Sequence, residues 1–287
     1  MIDIGTALAS AVIFLFAQNQ TGQEPIGTAF IVGYPVPGKP GQSVPLVVTA
    51  KHVIGDRMKV FGRFSTQEGK ATATFEYDLT ALRRAGDYWE HKDSGVDIVV
   101  FRTPHFEQAK YQVVPLELIA SKEAFRAESI QTTDRVVYPG LLVNFMGLSR
   151  NYPIVRSGSI ALIPDEPVPM RYLVGSKTIE TQQEAILIDG TAVAGESGSP
   201  VFLWPGPRLQ GNAFTVGGTK PLVLGVLHGF YLARQREIKN IQTTRLVQGF
   251  AENSHIAIVF PSWKLREIIE LPAVAARIEQ LIKIGNQ

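Results

Sequence analysis

The chain has 287 residues, no cysteine and a formal net charge of +2. Without cysteine there can be no disulfide framework, thiolate metal site or cysteine nucleophile, and near-neutral charge leaves no electrostatic footprint for nucleic acid or a membrane surface. The length allows one large or two small domains with a sizeable core.

The first signal in chain order is "IGTALASAVIFLFA", residues 4–17. It is apolar enough to suggest a signal peptide, but Met1, Ile2 and Asp3 supply no positive leader. The run is also shorter than the roughly 20 residues that span a bilayer. The expectation is a buried first strand after a short helical turn, in a cytoplasmic protein. A mature start near Gln18 would instead mark export.

Short segments rich in Val, Ile, Phe and Thr follow, each bounded by turn residues. One series covers 10–17, 27–34, 44–50, 57–64, 71–79 and 96–103; a second covers 135–148, 153–163, 184–190, 199–204, 221–230 and 255–260. Many short strands with few helices between them predict an all-β chain of two six-stranded antiparallel β-barrels. The polar stretch 107–134 reads as the linker. Residues 261–270 and 273–285 carry helical periodicity, interrupted at Leu271-Pro272. The expected division is 1–120, 121–260 and a helical segment 261–287. Two long loops stand out, the Pro/Gly-rich 33–45 and the basic 232–249 with Arg234, Arg236, Lys239 and Arg245.

The stretch "TAVAGESGSPVF", 191–202, admits three chemistries. As a phosphate loop it has Gly190 and Gly195 at the right spacing. Glu196, however, stands where a lysine must meet phosphate, and Pro200 follows too soon for a helix. As a hydrolase elbow it lacks the second glycine, and no Asp follows Ser197 to complete the Ser-Asp-His order. As the serine loop of a His-Asp-Ser triad it demands an upstream base and acid. "VVTAKHVIG" places His52 just after an apolar strand, and "SGVDIVVFR" places Asp97 at the head of another.

The set "GTAFIV", "VVTAKHV", "DIVVF", "GESGSPVF", "LGVLHG" and "HIAIVFPSW" resembles the trypsin-like serine peptidases of the chymotrypsin fold. The likeness is greatest to cysteine-free bacterial members such as the HtrA and glutamyl-endopeptidase groups, and it runs in order over about residues 10–270. The resemblance implies His52, Asp97 and Ser197 as catalytic residues, with the N–H groups of Gly195 and Ser197 as oxyanion hole. It implies no cofactor and a protein or peptide substrate, with a regulatory protein partner as a further expectation. No H-e-x-x-h-type metal signature is present; His91 and His105 are expected at the surface. The rival class is a catalytically silent binding module on the same fold.

By the same resemblance, substrate lies along 224–230, and Thr191 is the floor of the specificity pocket, with Ala192, His228, Gly229, Phe230 and His255 around it. An Asp at the Thr191 position would mark Arg/Lys preference; its absence argues against that. His228 is one residue out of the glutamyl-endopeptidase pattern. Strand alternation turns Leu227 to the pocket and His228 to the other face, near Asp97, unless a bulge restores it. Glu196 replaces the usual Asp or Asn, and no "IVGG" start follows a basic cleavage site, so proteolytic activation is not expected.

Overall fold

The structure is a computed structural model that describes residues 4–20, 22–69, 71–204, 208–210, 213–215, 221–233 and 252–285. The basic loop 232–249 lies almost wholly outside these residues. After helix α1 (Ile4–Ser10) come β1 (Val12–Asn19), β2 (Gly22–Pro35), β3 (Ser43–Thr49), the helical turn α2 (Lys51–Ile54), β4 (Lys59–Thr66) and β5 (Thr72–Asp78). Helix α3 (Leu79–Ala85) leads to β6 (Tyr88–Glu90), β7 (Val99–Arg102), β8 (Ala109–Lys110) and β9 (Val113–Pro115). The nine strands form one sheet, ordered β5-β4-β1-β2-β3-β7-β6, with β8 on β4 and β9 parallel to β2. Six are the expected strands; β6, β8 and β9 are short additions.

The apolar N-terminal run is explained by burial on both faces of this sheet. β1 lies between β2 and β4. Val12, Phe14 and Phe16 enter the core shared with the second half. Ile13 and Leu15 enter the core of the first half. A strand covered on both sides has no polar face, so it reads as a continuous apolar run. Burying each large side chain contributes about 1.5–3 kcal/mol. Five of them together rival the whole stability of a typical domain.

The linker carries helix α4 (Lys122–Ala127), whose N-cap Ser121 accepts from the Ala124 N–H. The second half holds β10 (Arg135–Gly140), β11 (Ile154–Leu162), β12 (Val168–Val174), β13 (Lys177–Gln183), β14 (Ile186–Asp189), β15 (Pro200–Leu203), β16 (Arg208–Gln210), β17 (Ala213–Thr215), β18 (Val223–Ala233) and β19 (Glu252–Pro261). The closed barrel β10-β11-β14-β19-β18-β15 uses the six expected strands. The β12–β13 hairpin was not expected. Yet "VPMRYLV-GS-KTIETQQ" carries the signal: two runs of seven around a Gly-Ser turn, with Val168 and Met170 buried and alternating with exposed Pro169 and Arg171.

Helices α5 (Ser262–Ile269) and α6 (Pro272–Gly285) pack into the shared core through Leu265, Ile268, Ile269, Val274 and Ile278. Arg277 of α6 and Arg102 of β7 both bind the buried Asp87 carboxylate, Arg277 Nε at 2.7 Å and Arg102 Nε at 3.0 Å. Burial alone would push the Asp87 carboxyl up. The hydrogen bonds and charges of the two arginines outweigh it and hold the group below the usual range. Its ionised form is therefore favoured in the fold, so its contribution is present above ordinary carboxylate pKa values and lost as pH falls through the lowered one. Asp87→Asn is expected to cost about 2 kcal/mol at neutral pH, since both arginines are partly hydrated. The deficit should shrink below about pH 4. Urea unfolding at several pH values reads this directly; equal destabilisation at pH 3 and pH 7 would refute it.

Candidate active site

His52 stands on α2, directly after β3, with Ala50 as an extended N-cap. Its backbone N–H donates to Asp97 Oδ1 at 2.8 Å, and its ring Nδ1 lies 2.5 Å from Asp97 Oδ2. Asp97 precedes β7, is wholly buried, and accepts the Lys51 N–H with its own carbonyl at 3.3 Å. Backbone and side-chain contacts thus fix the His52 ring relative to the carboxylate. Burial opposes a charge on His52, but the Asp97 charge and hydrogen bond outweigh it and raise its pKa above 6.5. Burial likewise opposes ionisation of Asp97; His52 and His228 more than compensate and hold it far below the usual range.

Ser197 comes from the second half, on the turn before β15. The two halves are stitched at this point: Thr28 N–H of β2 donates to the Ser197 carbonyl at 2.9 Å. Gly198 has φ +88°, and a Cβ there would collide with the Thr28 carbonyl and Thr49 Oγ1. The glycine after the serine is thus demanded by both conformation and close backbone approach. The Ser197 hydroxyl donates to the His228 carbonyl at 2.9 Å. Proton transfer to His52 requires the hydroxyl to leave that carbonyl and turn to Nε2, the ring nitrogen that Asp97 does not bind.

The turn before the serine is closed by Glu196 N–H on the Val193 carbonyl at 3.2 Å, with Gly195 in the third position at φ +99°. That is a type II turn, which needs glycine there. Two devices hold it. Thr28 Oγ1 donates to the Gly195 carbonyl at 2.7 Å while accepting the Leu141 N–H at 2.9 Å. The Glu196 carboxylate, wholly buried, accepts Val193 N–H at 2.9 Å and Arg156 Nε at 2.5 Å. Burial pushes the Glu196 carboxyl up despite these donors.

The remaining expected site residues fall into two groups. Thr191 Oγ1 lies 3.0 Å from His255 Nδ1, and Tyr138 O–H donates to the Thr191 carbonyl at 3.0 Å. His255 is exposed and sits at φ +60°, its carbonyl taking the Gly190 N–H. Ala192 is buried beside them in the barrel core. His228 is elsewhere. The β18–β19 register shifts between Leu227 and Gly229, so a bulge is present at His228. Leu227 enters the barrel core, and His228 Nδ1 lies 2.5 Å from the same Asp97 Oδ2 that His52 binds. His228 thus keeps the direction that strand alternation gave it, to Asp97; the bulge does not restore it to the pocket beside Thr191. Gly229 and Phe230 follow on the same strand, half-buried. Phe230 joins Met170, Tyr231, Ile258 and the flank of His228 along a groove of about 760 Å³ between β18 and the β12–β13 hairpin.

That hairpin supplies a residue the sequence did not point to. Tyr172 lies edge-on to both imidazoles, 4.7 Å from the His228 ring and 6.3 Å from the His52 ring, and its hydroxyl donates to the Gly95 carbonyl at 2.9 Å. Ser176 N–H on Asp56 and Gln183 on Asp93 latch the hairpin to the His52 side. His91 corrects another expectation. It is buried, with Nε2 2.6 Å from Glu267, which ties it to α5. His105 is exposed and touches the Tyr111 hydroxyl.

His52 Nδ1, Asp97 Oδ2 and His228 Nδ1 are also the atoms among the described residues that come close enough together to suggest a metal ion. Ligands at about 2.1 Å around one tetrahedral ion stand ~3.4 Å apart. Both contacts here are 2.5 Å. The cluster is built at hydrogen-bond spacing, and an ion would have to drive both rings off the carboxylate.

No family model matches the sequence, and no curated protein matches it. Solved structures do. The apo protease domain of MamO from Magnetospirillum magneticum matches with TM-score 0.51 and 11% identity, over 92% of this chain and 97% of that one. Rv3671c from M. tuberculosis H37Rv, in an inactive mutant form, matches with TM-score 0.45 and 14% identity, over 97% of this chain and 89% of that one. Together with the closed six-stranded barrel, the second sheet and the C-terminal helices, the first of these shows that the chain has the chymotrypsin fold.

Proposed function

We propose that the chain is a serine endopeptidase in which Ser197 is the nucleophile, His52 the general base and acid, and Asp97 the group that holds His52. The observation that carries the reading is the fixing of His52 on Asp97 by two hydrogen bonds, together with a serine loop whose turn is locked by Thr28 and Glu196. Ser197 Oγ attacks the peptide carbonyl as its proton passes to His52 Nε2. The tetrahedral oxyanion is met by the N–H groups of Gly195 and Ser197. His52 returns the proton to the departing amine, and water, deprotonated by the same ring, hydrolyses the acyl-enzyme.

A peptide has an edge to join. Pairing of β18 with β15 ends at Val226, whereas pairing with β19 continues past it. The edge beyond Leu227, whose own N–H and carbonyl are taken by Ser199 and Gly198, suits an added strand, with the Met170, Phe230, Tyr231 and Ile258 groove taking apolar side chains upstream of the cleaved bond. At the cleaved bond itself, Thr191 and His255 present hydroxyl and imidazole, which suit a side chain that accepts hydrogen bonds, Gln or Glu. The rival reading, a silent binding module, is favoured by the contact of Ser197 with the His228 carbonyl.

One experiment separates them. A fluorophosphonate is expected to label the wild type and not Ser197→Ala, and a peptide library is expected to be cut by the wild type alone, mainly after Gln or Glu. Absence of labelling would overturn the enzyme reading, and cleavage mainly after Arg or Lys the pocket assignment.

A further inference from the structure

Two imidazoles compete for one carboxylate oxygen. His52 Nδ1 from α2 and His228 Nδ1 from β18 each lie 2.5 Å from Asp97 Oδ2, while Oδ1 takes the His52 backbone N–H. The rings are 5.2 Å apart at 81°, and His228 is wedged between Tyr172 at 4.7 Å and Phe260 at 5.5 Å. His228 is buried, with one flank on the groove beside the hairpin. A carboxylate shared between two donors spreads its charge over both, and each feels less of it than a sole partner would.

We propose that His228 is a positioning residue that shares Asp97 with His52, and that this sharing limits how basic the His52 imidazole becomes. The inference rests on the triad reading for its consequence but not for its test. An unshared, wholly buried Asp97 would hold His52 as imidazolium too firmly for it to accept a proton from Ser197 near neutral pH. His228 takes part of that pull and pins the carboxylate in place.

Among the described residues, these groups face the cluster. Tyr172 of β12 lies across both rings, and Asp93 is engaged by Gln183 and the Gly95 N–H. Lys51, beside His52, turns away to the Ser94 carbonyl and Glu90. Asp56, past the end of α2, is taken by Ser176. The Ser197 contact is with the His228 carbonyl, which any substitution at 228 retains.

The test is an NMR titration of the His52 ring in the full chain, with His228→Leu and His228→Gln beside the wild type and thermal unfolding to verify the fold. In His228→Leu the His52 midpoint is expected to rise by about one pH unit. In His228→Gln, which keeps a donor, it should rise by less than half of that. An unchanged or lowered midpoint in a folded His228→Leu would overturn the proposal. The titration needs no turnover, so a chain that proves inactive still gives the answer. In an active enzyme the acid limb of kcat/KM should move up with the ring. A fall in kcat with the limb in place would mark a merely structural role and overturn the proposal.

Discussion

Asp97→Asn is expected to lower turnover about 10,000-fold while leaving the fold intact, the scale of that change in serine proteases with a His-Asp-Ser triad. The reason lies in donor and acceptor roles. The Asp97 carboxylate accepts from the His52 ring, the His52 backbone and the His228 ring. A carboxamide offers one acceptor oxygen and turns an NH2 group towards a former donor. His52 then either loses its contact or presents the wrong tautomer, with its proton on the nitrogen that should receive one from Ser197. The lost negative charge also removes what raises the His52 pKa above 6.5. The surviving activity should therefore have an acid limb below the wild type's. The checks are kcat/KM against pH and the rate of fluorophosphonate labelling. A loss under tenfold would show that Asp97 does not orient the base.

The second large effect is expected at Arg156, on β11, far in sequence from the serine. Arg156→Met leaves the Glu196 carboxylate wholly buried with Val193 N–H as its remaining close donor. Stranding one member of a buried ion pair costs about 3–5 kcal/mol. The sign with pH follows from burial, which already raises the Glu196 carboxyl. A raised carboxyl makes ionisation cost stability as pH climbs from its unfolded value towards its folded one. Without Arg156 that window extends upward, so the mutant should lose stability between about pH 5 and 7 where the wild type loses little. Denaturant midpoints across that range test it. The double variant Arg156→Met with Glu196→Gln should be more stable at pH 7 than Arg156→Met alone, because the stranded charge is gone. Turnover should also fall, by about 100-fold to 1,000-fold if the Gly195 N–H leaves its position. Equal stability of Arg156→Met at pH 5 and 7 would refute the account.

In the proposed enzyme this pair accounts for why no activation step is expected: the buried Glu196 carboxylate takes its cation from Arg156 of β11, within the same barrel. No pattern in the sequence distinguishes Arg156 from the other basic residues of exposed strands. On β11 it sits between exposed Val155 and Ser157, on the less exposed face, and only the closure of the barrel brings it onto Glu196.

What was legible in the sequence was what local chemistry dictates. Short runs rich in Val, Ile, Phe and Thr between turn residues marked the twelve principal strands because each must bury at least one face. The glycines around Ser197 were readable because positive φ and close backbone approach admit little else. The order of His52, Asp97 and Ser197 was readable because a serine needs a base and the base an acid. Tertiary structure alone decided which further partners those residues take. Alternation already turned Leu227 and His228 to opposite faces, but only the folded chain shows that His228 takes the same Asp97 oxygen as His52. The Tyr172 hairpin and the cation for Glu196 come from strands whose own sequences announce only that they are strands. Their roles depend on where the two sheets meet, and the physical reason is one of range: hydrophobic periodicity is a property of a few neighbouring residues, whereas a shared proton acceptor is a property of three segments that contact only after the chain has closed.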